Sequence, residues 1–111
     1  MEHNGNAKAL YIIVNAGFAD DVMEIVREAG VRGATILNAR GESARHESFM
    51  GITMDSEKEM ILCIVGEGTS EKTMAAIKEK AGIKTPAHGI CFTMPVEKMV
   101  GVSVSASQAE K

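Results

Sequence analysis

A chain of 111 residues, 45% hydrophobic and 24% charged, has room for one domain with one core. Its net charge of −3 comes from 12 Lys and Arg scattered among 15 acids, which offers no basic stripe for nucleic acid. No apolar run approaches the roughly 20 residues of a membrane helix, and residues 1–8 are polar without a secretory apolar stretch, so a cytoplasmic protein that is not membrane-embedded is expected.

In chain order, a flexible segment 1–8 is expected to lead into an apolar strand at Leu10 to Val14. Phe18, Val22, Ile25, Val26 and Ala29 then recur at helical spacing, with Asp21 and Glu24 placed for a capping box and Gly30 placed to end the helix. A second strand is expected at about Ala34 to Arg40, followed by a long loop over 41–58 and a third strand at Met60 to Val65. Thr69 or Ser70 is placed to cap a second helix that carries Met74, Ile77 and Ala81 on one face and stops at Gly82. A fourth strand is expected at about Gly89 to Thr93, then a short C-terminal strand and a flexible tail over 105–111.

These elements form an internal repeat at an offset of 52 residues. Leu10-Tyr11-Ile12-Ile13 matches Leu62-Cys63-Ile64-Val65, and Ala29-Gly30-Val31-Arg32 matches Ala81-Gly82-Ile83-Lys84. Two β-α-β units with right-handed crossovers predict an α+β domain of the ferredoxin-like, split β-α-β kind (βαββαβ) over 9–104. Its four-stranded antiparallel sheet would carry both helices on one face. Some domains of this shape bind RNA on paired sheet aromatics, but the central strand Met60-Ile61-Leu62-Cys63-Ile64-Val65 has none to stack a base. Cys63 and Cys91 lie in apolar runs without a CxxC pair and read as buried reduced thiols.

The strands at Leu10 to Val14 and Met60 to Val65 are apolar on both alternating faces, whereas two helices cover only one side of a sheet. A bare apolar face is rare on a soluble monomer, so copies are expected to pack sheet against sheet in a closed symmetric oligomer. A peptide partner over that face is the alternative.

The stretch Gly30-Val31-Arg32-Gly33-Ala34-Thr35-Ile36, with Gly41 before the long loop, resembles the Gly-x-x-Gly-Met-Thr segment of the PII nitrogen-regulatory signalling proteins. Gly89-Ile90-Cys91-Phe92-Thr93-Met94-Pro95-Val96-Glu97 is similar to that family's fourth-strand segment, a Gly before an apolar strand and then Pro-Val-Glu. The register runs from Leu10 to Val104. The resemblance implies a homotrimer with sheets facing inward, an adenine nucleotide (ATP, ADP, AMP or a cyclic form) in the clefts between subunits, and a long loop that docks on a transporter or an enzyme.

Residue by residue, the resemblance puts Thr35 and Ile64 at the adenine pocket and Gly41 and Gly89 at loop bases that approach the nucleotide. The family's phosphate-holding Lys is Ile90 here, and its two C-terminal Arg fall at Gly101 and Ser103. Charge-assisted contacts of that kind contribute about 1.5 to 3 kcal/mol each. Arg40, Arg45, Lys84 or His88 would have to supply substitute charge, or the ligand would carry less of it. The CutA-type metal-binding trimers share the fold, and their kind of function is the alternative.

The long loop is the leading site, since connections of its length are usually functional or disordered. Arg40, Arg45 and His46 beside Phe49 and Met50 combine charge with an apolar anchor for a partner protein. It contains no Tyr, and the chain's single Tyr11 sits in a strand, which excludes tyrosine nucleotidylation there. The second site is Thr85-Pro86-Ala87-His88-Gly89, stiffened by Pro86. His3, His46 and His88 have no metal-ligand spacing. No catalytic constellation is present: Asp20 and Asp21 suit a helix start, and there is neither a Gly-x-Ser-x-Gly nor a Gly-rich Lys motif. The expected function is therefore that of a regulatory binding protein rather than an enzyme.

Overall fold

The computed structural model describes residues 2–3, 6–41, 48–49, 52–53 and 56–102. The elements, in order, are β1 (Glu2–His3), β2 (Ala7–Asn15), α1 (Ala19–Glu28), β3 (Thr35–Gly41), β4 (Ser48–Phe49), β5 (Ile52–Thr53), β6 (Ser56–Gly66), α2 (Glu67–Lys80), β7 (Ile90–Pro95) and β8 (Lys98–Met99). The main sheet is antiparallel in the order β3-β6-β2-β7, with both α-helices over one face, as the repeat predicts. The two copies of the repeat lie side by side at its centre, where Leu10 faces Cys63 and Ile12 faces Ile61.

Strand alternation divides the side chains between two faces. Leu10, Ile12 and Val14 of β2 and Ile61, Cys63 and Val65 of β6 point toward the helices, where they meet Val22, Met23, Val26 and Ile77 in one buried cluster. Each large aliphatic side chain fully withdrawn there contributes about 1.5 to 3 kcal/mol. The opposite face presents Ala9, Tyr11 and Ile13, then Met60, Leu62 and Ile64, then Ile90, Phe92 and Met94, in directly opposed positions. Tyr11 and Phe92 stack across the strands with ring centroids 4.9 Å apart. Ile90, Phe92 and Met94 each keep 44–51% of their surface exposed, so this face is apolar and no described residue covers it.

Both helix starts differ from the sequence expectation. Phe18 is the N-cap of α1 and makes no side-chain cap bond, so Asp21 and Glu24 form no capping box. The Glu59 carboxylate of β6 takes that role from outside the helix: its Oε1 accepts from the Gly17 N–H at 2.7 Å and the Ala19 N–H at 3.3 Å. A side chain 40 residues beyond Ala19 in sequence satisfies these donors, and no local pattern announces it. Glu59→Ala should lower the stability by about 1 kcal/mol and Glu59→Gln, which keeps an acceptor, by less; urea denaturation midpoints measure both.

The second helix begins at Glu67, ahead of Thr69 and Ser70. The N-cap is Gly66 rather than either of those residues, which lie buried with Thr73 on the inward stripe. Ser70 Oγ donates to the Glu67 carbonyl at 2.8 Å and Thr73 Oγ1 to the Thr69 carbonyl at 2.7 Å, so the hydroxyls enter the core with their hydrogen bonds made. Ile77 and Ala81 are buried as expected, whereas Met74 is only partly covered.

The segment 41–58 is shorter as a loop than the sequence suggested. β6 starts at Ser56 opposite Gly41, and Ser48–Phe49 pairs with Ile52–Thr53. Glu2–His3, within the segment expected to be flexible, pairs with Lys98–Met99.

Candidate functional site

The candidate residues fall into two groups on one chain. Thr35, at the start of β3, faces Leu62 on the uncovered sheet face, and Ile64 lies two residues further along β6 opposite Ala9. Arg40 and Gly41 stand at the far end of β3, opposite Glu57 and Ser56. At about 3.4 Å per residue, Thr35 and Gly41 are roughly 20 Å apart. His88 and Gly89 lead into β7 at that same far end, where Ile90 faces Ile13. Arg45, His46 and Met50 lie outside the described residues; the Phe49 backbone pairs with Ile52.

Each glycine in the second group has a packing reason of its own. A Cβ on Gly41 would lie 3.0 Å from Lys58 Cε and 3.3 Å from its Cγ, so the bare backbone of β3 lets the Lys58 stem lie across it. A Cβ on Gly89 would overlap the Ala81 carbonyl oxygen, which accepts the Gly89 N–H at 2.7 Å. Gly89 is thus pinned against the end of α2, and His88 just before it takes a left-handed φ of 50°. The exposed His88 ring brings Nδ1 to 3.1 Å from the Ile83 carbonyl oxygen.

Two residues that the sequence did not single out connect these parts. Lys58 Nζ donates to Asn15 Oδ1 at 2.6 Å, and Asn15 Nδ2 donates to the Pro86 carbonyl at 2.9 Å. The Asn15 N–H adds a bond to the Ala87 carbonyl at 2.8 Å. Three strand ends and the loop before β7 therefore share one polar cluster at the edge of the apolar face. A lysine at the end of an expected loop and an asparagine after a strand both read as solvated turn residues, which is why spacing gave no signal for either. Lys58 puts one cation beside Gly41, at the end of β3. Ile90, where the resemblance puts the family's phosphate-holding Lys, is half exposed on the apolar face and adds no charge.

Burial pushes the Cys63 thiol up to about 11 and raises that of Cys91 in the same direction, so neither is a thiolate at neutral pH. Both are free thiols. Among the described residues no group of three His, Cys, Asp or Glu side chains is arranged to hold a metal ion, and no helix is long and apolar enough to cross a membrane.

The model of the nitrogen regulatory protein P-II family matches residues 7–105, from the first sheet strand to past the last. The chain belongs to that family. Among solved structures, the PII-like protein CPII of Thiomonas intermedia K12, bound to ADP and bicarbonate, is 22% identical with a TM-score of 0.62; the match covers 83% of this chain and 87% of that one. GlnK of B. subtilis, in complex with ATP, is 14% identical with a TM-score of 0.69, covering 89% and 91%. No curated protein sequence is similar enough to count as a match. At these identities the solved structures establish that the P-II fold is shared.

Proposed function

We propose that this chain is a PII-like regulatory protein that assembles as a homotrimer with its open sheet faces inward. A small effector, an adenine nucleotide first among the candidates, binds in the clefts between subunits and changes how the segment 41–58 engages a regulated protein, such as a transporter or an enzyme. Thr35, Arg40, Gly41, Arg45, Ile64, His88 and Gly89 are the proposed effector contacts, and His46, Phe49 and Met50 the proposed partner contacts.

The observation that carries this reading is the uncovered apolar face with candidate residues split between its two ends. Within one subunit the Thr35 and Ile64 pair stands too far from Gly41 and Gly89 for a single small molecule to touch all four. A second copy laid against the face brings one subunit's first group toward the other's second group, and association removes the apolar surface from water at the same time. Family membership and the adenine nucleotides held by CPII and GlnK support the choice of ligand class. Lys58 supplies one cation beside Gly41, which suits a ligand with fewer phosphates than ATP better than ATP itself.

A thermal-shift panel of ATP, ADP, AMP, cyclic nucleotides, zinc and copper tests the reading. A ligand at 100 times its Kd adds about 2.7 kcal/mol to the folded state, which raises the Tm of a domain this size by several degrees. ADP or AMP is expected to give the largest shift. A panel in which no nucleotide moves the Tm removes the nucleotide effector, and a response to metals alone favours the CutA-type function.

A further inference from the structure

The base of β6 and the loop from Thr85 to Gly89 are far apart in sequence yet meet through a single carboxamide. Asn15 Oδ1 accepts from the Lys58 ammonium at 2.6 Å while Asn15 Nδ2 donates to the Pro86 carbonyl at 2.9 Å. The orientation of the amide is fixed by this pair, because Lys58 is only a donor and a carbonyl only an acceptor. The same stretch of chain holds both neighbours by its backbone: the Asn15 N–H donates to the Ala87 carbonyl at 2.8 Å and the Ala16 N–H to the Glu57 carbonyl at 3.0 Å. Beyond Pro86 the loop is closed by the His88 N–H on Thr85 and the Gly89 N–H on Ala81, so movement of Pro86 reaches the entry of β7 directly.

We propose that Asn15 is a positioning residue that couples Lys58 to the Thr85–Gly89 loop, so that whatever draws the Lys58 ammonium away from Asn15 loosens that loop. The ammonium polarises the carboxamide it holds, which strengthens the bond the amide N–H makes to Pro86. Withdrawal of the cation leaves a neutral, less oriented amide and weakens that bond. Resting on the effector site proposed above, the coupling gives an anion, whether phosphate or carboxylate, a route from one side of the cleft to the other: the group that captures Lys58 also alters the entry of β7. The stem of Lys58 lies over Gly41, so the ammonium moves from Asn15 without disturbing the strand that carries it.

The test uses amide hydrogen exchange on the full-length, ligand-free protein, so its result does not depend on which effector binds. Lys58→Met keeps the stem and removes the ammonium; Asn15→Leu removes both polar ends; Asn15→Asp keeps a partner for Lys58 but turns an oxygen toward the Pro86 carbonyl. Each is expected to speed exchange of the His88 and Gly89 amides about tenfold, the size of one lost charge-assisted hydrogen bond expressed through local opening. Val26→Ala, a core change on α1 away from the cluster, controls for loss of global stability and is expected to leave the ratio of these amides to the core unchanged. If Lys58→Met leaves His88 and Gly89 exchanging as in the wild type, or moves them no more than Val26→Ala does, the coupling is overturned. A parallel titration with ADP and AMP reads the effector separately: absence of any change would remove the nucleotide and leave the ligand-free result standing.

Discussion

Phe92→Asp is expected to convert the assembled protein to monomers. Phe92 lies on the edge strand β7 of the uncovered face, 44% exposed in the single chain and stacked on Tyr11 of the neighbouring central strand. Packing that face against other copies would bury the new carboxylate among Tyr11, Ile90 and Met94 without a cation to pair it, at a cost of several kcal/mol per subunit. Association free energies scale with each subunit of a closed ring, so the loss multiplies around the assembly. Mass from light scattering after size-exclusion chromatography gives the outcome. Ala75→Asp, on the exposed side of α2, is the matched charge change that should leave the mass alone. A trimer mass retained by Phe92→Asp would overturn the sheet-inward assembly.

Gly89→Ala carries the second large effect. The added methyl would meet the Ala81 carbonyl oxygen and also come within 3.3 Å of Val14 Cγ1. The carbonyl cannot retreat, because it accepts the Gly89 N–H and belongs to the residue that caps α2. Either the hydrogen bond breaks or β7 shifts in register against β2, and we expect a loss of about 3 kcal/mol, at the upper end of overpacking costs. Chemical denaturation at constant m measures it. Binding of any effector at this loop should weaken together with stability, and a variant as stable as the wild type would show that the close approach is relaxed in solution.

The parts of the fold that were legible in the sequence are those set by repetition and alternation. Leu10-Tyr11-Ile12-Ile13 and Leu62-Cys63-Ile64-Val65 announce two similar strands, and the chain places them as neighbours because antiparallel pairing buries both apolar sets at once. The excess of apolar residues on those strands likewise announced a face that the helices leave bare. Helix starts were misread because their donors are met from elsewhere, at Glu59 for α1, or because an earlier Glu67 begins the turn and the hydroxyls of Ser70 and Thr73 go inward. At the site, Gly41 and Gly89 were singled out for backbone approach to a ligand, and each also has a packing reason that spacing does not show, the passage of Lys58 and the end of α2. Asn15 and Lys58 were invisible for the same cause as Glu59: their partners are separated by 43 and 71 residues along the chain.

The Glu59 carboxylate at the start of α1 also decides where a negatively charged guest cannot gain. The free N–H groups and dipole at a helix N-terminus ordinarily form a ready receptor for phosphate. Here that receptor is already filled by the protein's own carboxylate, with Gly17 and Ala19 both engaged. An incoming phosphate would have to evict a tethered competitor present at high effective concentration. At this end of α1, recognition of anions is thereby left to side-chain cations, whose strength falls with added salt, and the affinity for a phosphorylated effector held there should decline as ionic strength rises.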